Sequence, residues 1–145
     1  MPAPATIQRM VTPAEIDATF PVMRQLRPSL ASADDYRVAV ERMMQSGFHL
    51  AAALEGATVR AVAGYRLSES LAWGRYLYVD DLVTDDSARS QGFGQALLDW
   101  LKTEARTHAC RELHLDSGVQ RHGAHRFYLR ERMDITAYHF RLPLP

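Results

Sequence analysis

Hydrophobic positions along the chain recur with two different periods, and these divide it into alternating elements. Ile16, Phe20, Met23 and Leu26 fall on one side of a helix. Thr12 precedes them as an N-cap, Pro13 takes the first helical position, and Glu15 completes a capping box. Pro21 predicts a kink or split within that helix. Ser32-Ala33-Asp34-Asp35 reads as a second capping box, opening a helix with Tyr36, Val40, Met43 and Met44 on one side and Gly47 at its end. Thr6 to Met10 reads as a short first strand. From Phe48 the pattern changes to that of strands. Phe48 to Leu54 and Thr58 to Arg66 flank a hairpin turn at Glu55-Gly56-Ala57, and Ser68 to Gly74 reads as a longer turn. Tyr76 to Thr84 has the strongest β-propensity. Gln95 to Ala109 returns to helical spacing, with Leu97, Leu98, Leu101 and Ala105 on one face. Glu112 to Asp116 alternates like a strand, Gly123 to Arg132 reads as a short helix, and Ile135 to Leu142 as a final strand. The expectation is an α/β (α+β) fold: antiparallel strands first, then a strand-helix-strand unit.

Composition narrows the function classes. The chain has 145 residues, 47% hydrophobic and 23% charged, which fits one soluble domain spanning 1–145. Punctuation is spread evenly, with no repeat and no flexible linker. Formal net charge is zero, which argues against a nucleic-acid binder relying on bulk positive charge. One cysteine, Cys110, cannot form an internal disulfide, so a reducing, cytoplasmic setting is expected. No apolar run is long enough for a membrane span. Met1 to Val11 lacks the basic-then-apolar pattern of a secretory signal. His108, Cys110 and His114 match no standard zinc spacing, so no metal site is expected.

Chemistry concentrates between the best strand and the best helix. Arg89-Ser90-Gln91-Gly92-Phe93-Gly94 carries two glycines, which let backbone turn tightly and approach a ligand. A helix N-terminus leaves N–H groups unpaired and carries partial positive charge, which suits a pyrophosphate. A dinucleotide fingerprint needs a small residue where Leu97 stands, and a P-loop needs a G-K-[ST] run that is absent. On spacing alone, an ordinary glycine-rich turn before a helix explains the segment equally well.

A second motif changes that balance. Arg89-x-x-Gly92-x-Gly94 follows the strand ending Asp81-Leu82-Val83-Thr84, and Ala124-His125-Arg126-Phe127-Tyr128 follows an intervening helix and strand. In this pairing, Tyr76 to Phe140 resembles the GCN5-related N-acetyltransferase (GNAT) superfamily. Two positions depart from the family pattern: Arg121 stands where Asn is common, and Arg132-Met133 where Gly-Phe closes the last helix. The resemblance implies a mixed, mostly antiparallel central sheet with helices on both faces and a splay between the two central strands. It implies acetyl-CoA as co-substrate, its pyrophosphate on the backbone of Gln91, Gly92, Phe93, Gly94, Gln95 and Ala96, with Arg89 at the loop. It implies backbone N–H groups freed by a bulge or splay at Leu82, Val83 and Thr84 for the thioester carbonyl and the pantetheine arm. It also admits a homodimer.

Acyl transfer to an amine requires a neutral amine, a stabilised oxyanion and a protonated leaving thiolate. The resemblance makes Tyr128 the general acid; a phenol can donate to a thiolate of similar basicity. The alternative for Tyr128 is a ring packed in the core. Asp80, Asp81, Asp116 and His114 are candidates for handling the amine proton, with Asp116 and Asp81 foremost. Along a regular strand Asp80 and Asp81 point to opposite faces, so one of them at most faces the site. Asp80, Asp81, Asp85 and Asp86 together either attract a cationic amine or are solvated loop charge. The expected function is transfer of an acetyl group to a primary amine, on a small molecule or a protein, by direct attack. Cys110 is expected to take no part as nucleophile. A non-catalytic acyl-CoA-binding or sensor domain is the alternative.

Overall fold

The computed structural model describes residues 5–145. The first four residues, part of the stretch read for a secretory signal, lie outside the described residues. Local chemistry accounts for the first helix. Strand β1 (Thr6–Arg9) leads to Thr12, whose hydroxyl accepts from Glu15 N at 3.2 Å while the Glu15 carboxylate accepts from Thr12 N at 3.0 Å. Helix α1 (Pro13–Leu26) then runs unbroken through Pro21. A proline inside a helix costs about 3 kcal/mol. Burial of Ile16, Val22 and Met23 outweighs it, at roughly 1.5–3 kcal/mol for each fully buried side chain. Helix α2 (Ala33–Met44) is capped by Ser32, whose hydroxyl accepts from Asp35 N at 3.1 Å.

Strands β2 (Phe48–Glu55), β3 (Thr58–Ser70) and β4 (Gly74–Thr84) form an antiparallel meander. The β2–β3 turn centres on Gly56, whose φ of 61° requires glycine's freedom. A single 3-10 turn (Asp86–Ala88) and helix α3 (Phe93–Thr107) carry the chain to β5 (Glu112–Leu115). The sheet order is β1-β2-β3-β4-β5, mostly antiparallel, as the sequence predicts.

The chain divides into two compact units, Met1–His114 and Leu115–Pro145. In the first, helices cover both sheet faces. Met10, Ile16, Val22, Met23, Tyr36 and Val40 pack with Phe48, Leu50, Ala52, Val62 and Val83 on one face. Alternation along the strands sends Ala51, Ala53, Ala61, Ala63 and Tyr65 to the other, where α3 buries Phe93, Leu97, Leu98 and Leu101. That second face also holds a polar knot. Glu104, on α3, accepts from Tyr65 OH at 2.5 Å and from Arg9 Nε at 3.1 Å. Burial pushes the Glu104 carboxyl up, but those hydrogen bonds and the Arg9 charge outweigh it and leave it lowered.

The second unit carries helix α4 (His122–Arg130). Here the structure corrects one expectation: Ile135 to Leu142 is not a strand. Its side chains alternate as a strand's would, yet Tyr138, Phe140 and Leu142 are exposed. Alternation supplies a buried face only where a neighbouring backbone supplies a ladder.

Candidate active site

The loop ahead of α3 has a backbone geometry that suits an anion. Ser90 and Gly92 both take left-handed backbone conformations, at φ 63° and 87°, and Gly92 is the helix N-cap without any side-chain cap. The first intrahelical bond runs from Ala96 N to Gly92 O at 3.0 Å. The N–H groups of Phe93, Gly94 and Gln95 therefore have no acceptor within the helix. Phe93 is buried and anchors the turn, whereas Arg89, Gln91 and Gln95 are exposed. Arg89 is paired with Asp86 at 2.7 Å. A Cβ added at Gly94 would stand 2.9 Å from Thr84 Oγ1, so the helix start and the end of β4 approach so closely that any side chain there must displace Thr84.

Strand β4 presents two features in succession. Its end pairs regularly with β3, Ala61 opposite Thr84, Val62 opposite Val83 and Ala63 opposite Leu82. Asp85 N donates to Arg60 O at 2.8 Å, so alternation turns the N–H groups of Thr84 and Leu82 away from β3 and that of Val83 toward it. The register then slips: Gly64 faces Asp81 but Tyr65 faces Val79, leaving Asp80 as the extra residue of a bulge. The irregularity thus falls just before Leu82–Thr84 rather than on it. It also removes the regular strand on which the opposite orientation of Asp80 and Asp81 was argued.

Around the bulge the carboxylates have partners that sequence reading did not find. Arg27, just beyond α1, donates from Nε to Asp81 Oδ1 at 2.9 Å and from its terminal nitrogen to Asp80 O at 2.9 Å. Arg66 Nε holds Asp80 Oδ2 at 3.0 Å. The other carboxylate oxygen, Asp80 Oδ1, is buried with no partner among the described residues. Burial pushes the Asp81 carboxyl up against the opposing pull of Arg27. Gln25 bonds Asp85 Oδ1 at 2.9 Å and accepts from Asp86 N at 2.8 Å, and it is the main reason the Asp85 carboxyl is held low. The acidic group is therefore largely neutralised, and its one unsatisfied oxygen stands out. Nothing local in the sequence marks Arg27 or Gln25 as partners of residues more than fifty positions on.

His114 is engaged elsewhere: its ring stacks on Trp73 with centroids 3.6 Å apart, and its Nε2 lies 2.9 Å from Glu112 Oε1. In the second unit, Tyr128 is half-buried on α4, and its backbone carbonyl accepts from Met133 N at 3.0 Å. Burial pushes its phenol up, partly countered by the neighbouring Arg121 guanidinium. The phenol is therefore protonated at neutral pH. Asp116 is exposed, with Oδ2 3.6 Å from His139 Nδ1.

The mixed sheet covered by helices and the glycine loop at its strand end are those of an α/β protein with an anion-binding turn, and comparison with known proteins gives the family. The model of the acetyltransferase (GNAT) family matches residues 16–133. The chain is 33% identical over 141 residues to the uncharacterized N-acetyltransferase YhdJ of Bacillus subtilis (strain 168), covering 95% of this chain and 98% of that one. It superposes on a transcriptional regulator from Bacillus halodurans C-125 with a TM-score of 0.86, at 18% identity over 97% of this chain and all of that one. It superposes on AAC(6')-Iy in complex with the bisubstrate analog CoA-S-monomethyl-acetylneamine with a TM-score of 0.83, at 13% identity over 98% and 99% of the two chains. The chain belongs to the GNAT family of acetyltransferases.

Proposed function

We propose that this protein transfers the acetyl group of acetyl-CoA to a primary amine by direct attack, within a single N-acetyltransferase domain. The observation that carries the reading is the junction of Thr84 with Gly94, where a strand end with outward N–H groups meets a helix start with three N–H groups that have no acceptor within the helix. The residues fit the co-substrate. The pyrophosphate would take the N–H groups from Gly92 to Gln95, with Gln91 and Arg89 at the rim; that of Ala96, included in the sequence expectation, is already bonded to Gly92 O. Leu82 and Thr84 would hydrogen-bond the pantetheine amides and the thioester oxygen, with Val83 packed beneath.

The acceptor side rests on Asp80. A buried carboxylate oxygen without a partner is costly, and an ammonium group satisfies it. The family neighbour that holds a CoA–acetylneamine analog is compatible with a cationic amine of this kind. The amine gives a proton to Asp80 or to a water on it, and its nitrogen attacks the thioester carbonyl carbon. The C–S bond breaks, the departing thiolate takes the phenolic proton of Tyr128, the general acid by family resemblance, and the extra proton on the attacking nitrogen passes through solvent to the phenolate, which restores the phenol. Asp81, fixed by Arg27, holds the bulge in place. Asp116 is the position where the family resemblance puts a catalytic carboxylate, and it is the alternative proton acceptor.

Single variants separate these roles. Tyr128→Phe is expected to lower kcat roughly a hundredfold, the low end for a general acid, while acetyl-CoA still binds. Unchanged turnover removes Tyr128 from the mechanism. Asp116→Asn is expected to act weakly; if it abolishes turnover while Asp80→Asn does not, the proton goes to Asp116.

A further inference from the structure

Arg66 is fixed in place with part of its guanidinium unused. It lies on β3 opposite the bulge, where its Nε donates to Asp80 Oδ2 at 3.0 Å. Its Cζ stands 5.4 Å from the centre of the Phe48 ring, so one face of the plane rests on an aromatic surface. Phe48 is itself buried. Gly64 lets these groups close up: a Cβ there would stand 2.5 Å from both Asp81 Oδ2 and Phe48 Cζ, so any side chain would push the bulge and the ring apart. Among the described residues Arg66 makes no other hydrogen bond, and its side chain is 33% exposed. What remains is the end carrying the two terminal nitrogens, a fork that matches a carboxylate. Arg27 is not equivalent, because its Nε and a terminal nitrogen are committed to Asp81 and to Asp80 O.

The Asp80 carboxylate thus carries a fixed positive charge on Oδ2 and no partner on Oδ1. That arrangement discriminates among amines. An ammonium group on Oδ1 lies close to the Arg66 guanidinium, and the two like charges repel, more strongly where water is partly excluded. Asp80 and Asp81 are already matched by Arg66 and Arg27, so a purely cationic ligand leaves the group with excess positive charge. A ligand with its own anion removes the excess and fills the open fork. A singly charged carboxylate restores the balance, whereas a doubly charged phosphate overshoots it. Resting on the reading of Asp80 as the partner of the acceptor amine, we propose that the acceptor is zwitterionic, a small molecule with a carboxylate a few bonds from its primary amine, and that Arg66 selects it. The ammonium takes Asp80 Oδ1, and the carboxylate takes the terminal nitrogens of Arg66.

Titration calorimetry on the full-length protein loaded with CoA, which has no acetyl group to transfer, tests this as binding alone. Glycine, 3-aminopropanoate and 4-aminobutanoate are compared with their amides, each pair sharing the amine and its reach but not the anion. At least one acid is expected to bind roughly tenfold or more tighter than its amide. Equal or tighter binding of every amide overturns the proposal, as does the absence of binding at every length. Arg66→Gln is expected to weaken the acid roughly tenfold or more and to strengthen the amide, because it removes both the anion's partner and the charge that repels the ammonium. A purely structural role predicts equal losses for both, and that result, or an unchanged preference, contradicts selection by Arg66. If the variant does not fold, the comparison on the unmodified protein decides. Turnover of the same pairs with acetyl-CoA distinguishes this failure from failure of acetyl transfer. An amide acetylated as efficiently as its acid defeats the zwitterion and leaves acetyl transfer intact. An acid that binds selectively without being acetylated supports the Arg66 subsite and counts against acetyl transfer itself.

Discussion

At the scale of single residues, the proposed chemistry rests on two positions: Gly94, which has no Cβ, and Asp80, whose buried Oδ1 has no partner among the described residues. Gly94→Ala would place a methyl 2.9 Å from Thr84 Oγ1, at the junction where the pyrophosphate is proposed to sit. The expected result is acetyl-CoA affinity lowered roughly tenfold or more, about 1.4 kcal/mol, with kcat for bound substrate affected less. Titration calorimetry reads it, and unchanged affinity would detach the phosphate site from this loop. Asp80→Asn keeps the shape but removes the charge proposed to meet the ammonium. Its kcat/KM for a cationic amine is expected to fall roughly a hundredfold. Asp81→Asn has a different signature. Burial raises the Asp81 carboxyl above its unfolded value of 3.8, so ionising it in the fold costs stability, and that cost grows as pH rises past 3.8. The variant should melt no lower than the parent at pH 7, with any advantage shrinking toward pH 4. A large loss at pH 7 would make the Arg27 ion pair a net stabiliser instead.

At the scale of elements, Glu104 ties α3 to β1 and β3 through Arg9 and Tyr65. Its carboxyl is lowered from 4.5, so its contribution is complete above that value and is lost as pH falls through the folded value. Glu104→Gln is expected to lower the melting temperature at pH 7 and to flatten its fall below about pH 4.5. An unchanged acid limb would show that other carboxylates set it. Much of this level was legible in the sequence, because helix caps and turns are local. Thr12 with Glu15, the Gly56 turn and the glycine loop before α3 are each set by neighbours a few positions away. What could not be read was long-range. Pro21 leaves α1 unbroken because of what Ile16, Val22 and Met23 bury against the sheet. The bulge at Asp80 depends on its register with β3. Arg27 and Gln25 find their partners only once α1 has docked. The final strand was misread because its alternation was visible and its missing partner was not.

At the scale of the molecule, the glycine loop and the Phe127-Tyr128 segment carry the family resemblance, while the bulge and its arginines, on which the acceptor side is proposed to rest, carry no motif. Binding of acetyl-CoA is the central claim. The most direct test is titration calorimetry of the full-length protein with acetyl-CoA and CoA, alongside ATP and NAD. The prediction is saturable one-to-one binding of both CoA species and none of the other two. No heat and no shift in melting temperature with either CoA species at millimolar concentration, or equal binding of ATP, would contradict it.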